Sequence, residues 1–69
     1  MEVIKVSIAA CRVNAGLTQA ELADKMGISI PTVASWEKGK GSPDLNQLRI
    51  LSQLSGIPMD NIFLSGDSI

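Results

Sequence analysis

Apolar residues of this 69-residue chain recur at intervals of three and four, in blocks separated by glycines. That spacing places them on one face of a helix, whereas strands alternate every second residue. The pattern predicts five helices and no convincing strand, at about residues 4–15, 18–26, 30–38, 45–55 and 59–64. The expected inward-facing residues are Ile4, Ile8, Cys11, Ala15, Leu22, Ala23, Met26, Val33, Trp36, Leu45, Leu48, Leu51, Leu54, Ile62 and Phe63.

Capping residues mark the ends of the second and third helices. Thr18 and Glu21 have the spacing of a capping box, in which each side chain bonds to the other residue's backbone N–H. Gly27 is expected to end the second helix in a left-handed conformation. Ser29 then caps the third helix, and Pro31 fits its first turn because a proline there loses no helical hydrogen bond. Two short amphipathic helices that meet at a glycine have the layout of a helix-turn-helix.

Composition excludes several classes of function. The chain is 45% hydrophobic and 19% charged, which is typical of one globular domain, here residues 1–69 with an ordered core at about 4–64. It has one cysteine and no histidine, so we expect no disulfide, no metal, no cofactor and no enzymatic activity. Cys11 reads most simply as a core hydrophobe, with a redox-sensing thiol as the alternative. The absence of a long apolar run and of a leader predicts a cytoplasmic protein without membrane contact.

The overall charge does not favour nucleic acid. The formal net charge is −1 and the pI is about 5.0, whereas DNA-binding domains are often basic. The distribution of charge along the chain matters more than the net charge, however. From residue 25 to residue 49, four basic side chains stand against two acidic ones. This thin basic segment overlaps the third helix and the turn after it.

The segments Leu17–Ala23, Gly27–Ser29 and Thr32–Lys40, followed by Pro43 and Leu48, resemble the phage repressor and Cro-like (XRE-type) helix-turn-helix family. The resemblance extends over about residues 4–64. It implies an all-α, five-helix lambda-repressor-like DNA-binding domain whose helices 2 and 3 form the helix-turn-helix. It also implies a prokaryotic or phage transcriptional regulator, expected to be a repressor, that inserts helix 3 into the major groove of double-stranded DNA as a homodimer.

The resemblance assigns roles to eight residues. Gln19, at the start of helix 2, corresponds to a phosphate contact, although it is also simply a good helix former. Lys38 and Lys40 correspond to backbone contacts after helix 3, with a solvated turn as the alternative. The positions facing base edges and flanking phosphates are Ser29, Ile30, Pro31, Thr32 and Ser35.

The reading face departs from the family pattern. Ile30 and Ser35 stand where long polar side chains are frequent, and Pro31 has no backbone donor. No residue here can form a bidentate Arg–guanine or Gln–adenine pair, each worth about 1–3 kcal/mol. Apolar contacts with thymine methyls and single hydroxyl bonds remain, so recognition should favour A·T-rich sequence and DNA shape. Alternatively, Ile30 is buried against another protein.

Two further expectations concern structure and assembly. Arg12 and Glu37 lie beside inward-facing residues, and the family often pairs such residues, so we expect a salt bridge between helix 1 and helix 3. Ile57, Met59 and Leu64 are the expected dimer contacts. The rival function is a protein-interaction or antitoxin-like regulatory subunit on the same fold. No small-molecule ligand is expected, since one domain leaves no room for a ligand domain.

Overall fold

Four α-helices make up most of the part of the chain that the structure describes, and the second and third form a helix-turn-helix. The structure is a computed structural model that describes residues 5–63, with only the backbone at Phe63. This arrangement confirms the expected all-α class and the position of the helix-turn-helix. In chain order the elements are β1 (Val6–Ser7), α1 (Ile8–Asn14), α2 (Gln19–Met26), α3 (Ile30–Glu37), α4 (Leu45–Ser55), a 3-10 turn (Met59–Asn61) and β2 (Ile62–Phe63).

Local capping interactions define the start of α2 and the turn between α2 and α3. Thr18 Oγ1 accepts from the Glu21 backbone N–H at 3.1 Å, and Glu21 Oε1 accepts from the Thr18 N–H at 2.9 Å, which completes the capping box. Gly27 adopts a φ of 69°, a left-handed conformation that other residues rarely adopt. Ser29 caps α3 by accepting from the backbone of Thr32 at 3.3 Å.

The ends of the domain differ from the sequence expectation. Helix 1 begins at Ile8 rather than near residue 4, because Ser7 caps it by accepting from the Ala10 N–H at 3.0 Å. The expected fifth helix is a single 3-10 turn followed by β2. Val6 pairs with Ile62 in a two-residue parallel ladder. Both residues are β-branched, which favours the extended backbone, but their pairing joins distant parts of the chain.

Nine apolar residues form the core, contributed by all four helices and β2. They are Ile8, Cys11, Leu22, Ala23, Val33, Trp36, Leu48, Leu51 and Ile62. Burial raises the pKa of the Cys11 thiol, against the effect of a hydrogen bond with Ser55, so this residue is a core hydrophobe without the exposure that a redox sensor needs. Within residues 5–63, no helix has the length and apolar character required to cross a membrane.

Some expected core positions are placed differently. Leu45 is 64% exposed, so its assignment to the core was wrong. It is the first residue of α4, directly after the N-cap Asp44. Ala15, Met26 and Leu54 are half-buried. Ile4, the Phe63 side chain and the expected frayed end at residues 65–69 lie outside the described residues.

Two of the four leucines of α4, Leu51 and Leu45, provide a test of this packing. Leu51→Ala should lower the free energy of unfolding by about 2–5 kcal/mol, because it removes a fully buried side chain and leaves a cavity. Leu45→Ala is the matched control and should stay within about 0.5 kcal/mol of wild type. Urea denaturation of both variants measures the difference, and equal losses would contradict the placement of Leu45 in solvent.

Candidate nucleic-acid interface

An ion pair joins the end of α1 to the end of α3. Arg12 Nε donates to Glu37 Oε2 at 2.7 Å, and Arg12 Nη2 donates to Glu37 Oε1 at 3.3 Å. The two side chains are only 18% and 11% exposed. Arg12 Nη1 also donates to the Leu17 carbonyl at 2.9 Å, so the guanidinium fixes the loop that leads into α2. The structure thus brings together the two residues that the sequence suggested as a pair.

Gln19 adds α2 to this network. Its Nε2 donates to Glu37 Oε1 at 3.0 Å, so one carboxylate accepts hydrogen bonds from two other helices. Burial acts to raise the pKa of Glu37, but the hydrogen bonds from Arg12 and Gln19 and the Arg12 charge outweigh it and hold the pKa below its usual value. The carboxylate is therefore ionised at neutral pH, and α3 is fixed relative to α1 and α2.

The outer side of α3 is not covered by any described part of the chain. Ile30 is 48% exposed, and Pro31 beside it is also exposed. Thr32 and Ser35 are half-buried. The hydroxyls of Ser29 and Thr32 lie 2.8 Å apart and share a hydrogen bond. Four of the five expected residues, Ser29 to Thr32, thus lie at the start of α3, whereas Ser35 lies in its last turn. Ile30 and Pro31 form an exposed apolar pair at the start of the helix.

The basic turn after α3 folds back on the helix. Lys38 is the C-cap residue, and the Lys40 N–H donates to the Ser35 carbonyl at 2.8 Å. Gly39 permits this reversal with a φ of 80°. Both lysine residues are exposed. Two cationic side chains thus stand within one helical turn of the end of α3, where they add positive charge beside a neutral reading face.

The expected dimer residues are less exposed than the sequence suggested. Ile57 and Met59 are half-buried and pack against the core of their own chain. Leu64 lies outside the described residues. Val13, on α1, is 65% exposed, which is a greater exposed fraction than that of Ile57 or Met59.

Sequence reasoning missed two contacts at this site. The Gln19–Glu37 bond joins residues 18 positions apart, and nothing in the local pattern of either residue indicates it. The Ser29–Thr32 hydroxyl bond spans three residues, a spacing that Ser and Thr at a helix start often exploit, so it was open to prediction. Among the described residues no group of three or more His, Cys, Asp or Glu side chains is placed to hold a metal ion.

Comparison with known proteins identifies the architecture. The sequence profile of a helix-turn-helix family matches residues 8–62, which covers α1 to the start of β2. The chain belongs to this XRE-type helix-turn-helix family. No solved structure matches it significantly.

Several curated relatives of this helix-turn-helix protein are named as transcriptional regulators. It is 33% identical over 58 residues to the HTH-type transcriptional activator BcrR of Enterococcus faecalis, covering 84% of this chain and 28% of that protein. Over 58 residues it is 36% identical to the uncharacterized HTH-type transcriptional regulator YqaE of Bacillus subtilis. These residues cover 84% of this chain and 49% of that protein. The uncharacterized HTH-type transcriptional regulator MJ0272 of Methanocaldococcus jannaschii is 37% identical over 51 residues, which cover 74% of this chain and 77% of that protein. The match thus spans half or less of the first two relatives.

Removing the cation from the network tests its contribution to stability. Arg12→Met should lower the free energy of unfolding by about 1–3 kcal/mol, because it leaves the half-buried Glu37 carboxylate without its countercharge. The double variant Arg12→Met/Glu37→Met should be less destabilised than the single one, since no charge is then left unpaired. Thermal unfolding of the three proteins measures this, and an unchanged melting temperature in Arg12→Met would refute the structural role.

Acid should weaken the same network. The folded-state pKa of Glu37 lies below its unfolded value of about 4.3, so its contribution to stability is present above that pH and is lost as the pH falls through the folded pKa. The unfolding free energy of wild type should therefore fall as the pH drops below about 4.3, and less steeply in Glu37→Gln. Some slope should remain from Glu21, whose pKa is lowered chiefly by its hydrogen bond with the Thr18 backbone. Identical slopes in the two proteins would exclude this contribution of Glu37.

Proposed function

We propose that this protein is a DNA-binding transcription regulator that inserts α3 into the major groove. One observation supports this most: the inner side of α3 is fixed by the Arg12–Glu37–Gln19 network, while its outer side, at Ile30 and Pro31, is open. A recognition helix needs both properties, because base readout requires an exposed face held in a fixed orientation. The family and the names of the relatives support the same function.

The proposed contacts divide into phosphate and base contacts. Gln19 uses one amide hydrogen for Glu37, and its second N–H is proposed to donate to a phosphate at the start of α2, where backbone N–H groups also favour anions. Lys38 and Lys40 are proposed to contact the DNA backbone after α3. The proposed base-reading and flanking contacts come from Ser29, Ile30, Pro31, Thr32 and Ser35.

Electrostatics is consistent with this division despite the acidic pI. Glu37 is the acidic residue of α3, and Arg12 compensates its charge within the protein. A phosphate approaching Gln19 therefore meets a neutral pair instead of a bare carboxylate. Lys38 and Lys40 then supply the positive charge on this side of the domain.

We further propose that the protein binds as a homodimer and acts as a repressor. Two α3 helices about 34–36 Å apart would read half-sites one turn of DNA apart. Ile57, Met59 and Leu64 remain the proposed dimer contacts, with the half-burial of the first two limiting the area that they can offer. Occupying DNA is sufficient to block a competing protein, so repression needs no further surface. The opposite effect is the one named for BcrR.

A protein-interaction module is the second candidate. Ile30 and Val13 are both large exposed apolar side chains, and exposed apolar surface often marks a protein contact. This candidate predicts binding to another protein without affinity for duplex DNA.

Salt dependence and charge variants test the DNA-binding proposal. Fluorescence anisotropy with a labelled random duplex should show binding at low salt, with log K falling by about 0.9 per contacted phosphate for each log unit of salt. Lys38→Gln and Lys40→Gln should each reduce that slope by about one. Lys25→Gln removes the same charge from an exposed position on α2 and should have a smaller effect.

The same measurement distinguishes the candidates. Stoichiometric titration of a selected duplex should reach two chains per duplex if the homodimer proposal is correct. Absence of binding at low salt, together with recovery of a protein partner, would support the interaction module. Equal slopes for Lys38→Gln, Lys40→Gln and Lys25→Gln would remove the two lysines from the interface.

A further inference from the structure

Two of the three exposed residues of the proposed reading face, Ile30 and Pro31, are apolar. Ile30 and Pro31 project from the first turn of α3, the part of a recognition helix that meets base edges. Neither side chain can donate or accept a hydrogen bond. Within the major groove, the C5-methyl group of a pyrimidine is the apolar feature that such residues can contact.

The polar side chains beside Ile30 and Pro31 can offer few hydrogen bonds to base edges. Ser29 and Thr32 have two hydroxyl hydrogens, and one of these is used in the 2.8 Å bond between the two oxygens. The pair therefore presents one donor hydrogen to its surroundings. Between Ile30 and Glu37 the sequence has no Arg, Lys, Asn or Gln, and Glu37 itself is occupied by Arg12 and Gln19. No side chain of α3 offers the fixed pair of polar groups that identifies a base.

The hydroxyls that remain do not favour one pyrimidine over the other. Thymine presents an acceptor, O4, next to its C5-methyl group, whereas cytosine presents a donor, the N4 amino group. A Ser or Thr hydroxyl can donate to the first or accept from the second. The two pyrimidines then differ at this contact mainly by the methyl group, and 5-methylcytosine carries that group at the same position as thymine.

We propose that Ile30 is a specificity-determining residue that recognises the C5-methyl group itself, so that the protein accepts thymine and 5-methylcytosine alike at the contacted position. This inference rests on the proposed DNA-binding function. It assigns a substrate class, duplex DNA with a C5-methylated pyrimidine under Ile30. It also makes cytosine methylation a means of increasing the affinity of an otherwise weak site.

A factorial set of duplexes tests the proposal. A high-affinity duplex is first selected from a random pool, and each thymine is replaced singly by uracil to find the contacted pair. That position is then synthesised as T·A, U·A, 5-methylcytosine·G and C·G. The 69-residue chain should bind the two methylated duplexes with similar affinity. Each should bind about four-fold more tightly than its unmethylated counterpart, the effect of burying one methyl-sized group.

Two variants assign the effect to Ile30. Ile30→Ser should abolish the difference between methylated and unmethylated duplexes, and the exposure of the side chain means that the melting temperature should change little. Val13→Ser is the matched control, since Val13 is exposed on α1 outside the proposed interface, and it should retain the full difference.

The outcomes separate this inference from the function on which it rests. If no thymine-to-uracil replacement lowers the affinity, or if 5-methylcytosine·G binds no more tightly than C·G at the contacted position, the methyl group is not read, and the inference fails while DNA binding stands. If Ile30→Ser keeps the methyl effect, another residue reads the group and the assignment to Ile30 fails. If no duplex binds at low salt, the proposed function fails and this inference fails with it.

Discussion

The Glu37 carboxylate is the group on which the arrangement of the helix-turn-helix depends. It accepts hydrogen bonds from Arg12 on α1 and Gln19 on α2 while it ends α3, so three helices meet at one shielded charge. Burying a carboxylate is costly unless its oxygens are bonded and its charge is balanced, and here both conditions hold. A buried pair of this kind adds little net stability. Its value lies in orientation, because a small rotation of α3 would break bonds to both other helices.

This network also explains the division of polarity in α3. The acidic residue of that helix is turned inward, while Ile30 and Pro31 face outward. The usual arrangement of a recognition helix, with long polar side chains toward the bases, is therefore absent. A face of this kind gains discrimination from shape and methyl contacts more than from paired hydrogen bonds. In the proposed complex, the cationic residues after the helix would supply attraction to the DNA backbone without defining a sequence.

The pairing of β1 with β2 compensates for the small size of the domain. A chain of 69 residues buries a smaller fraction of its surface than a larger protein does, so each buried side chain matters more. Pairing β1 with β2 brings Val6 against Ile62 and adds the latter to the core formed by α1 and α4. The Lys5 ammonium, which donates to the Asp60 carbonyl at 2.8 Å, ties the same two segments together. The two ends of the domain thus stabilise each other without a long element.

The sequence by itself determined what depends on neighbours within a few residues. Thr18 specifies where α2 begins, Gly27 where it ends and Ser29 where α3 begins, because capping and left-handed turns are local events. The three- and four-residue spacing of apolar side chains identified most of the core. Tertiary structure decided the rest. Leu45 has the right spacing but is exposed at the first position of α4. The β1–β2 pairing joins residues 56 apart, and Gln19 meets Glu37 only once α2 packs against α3. Such contacts are set by how helices pack in space, and no local pattern encodes them.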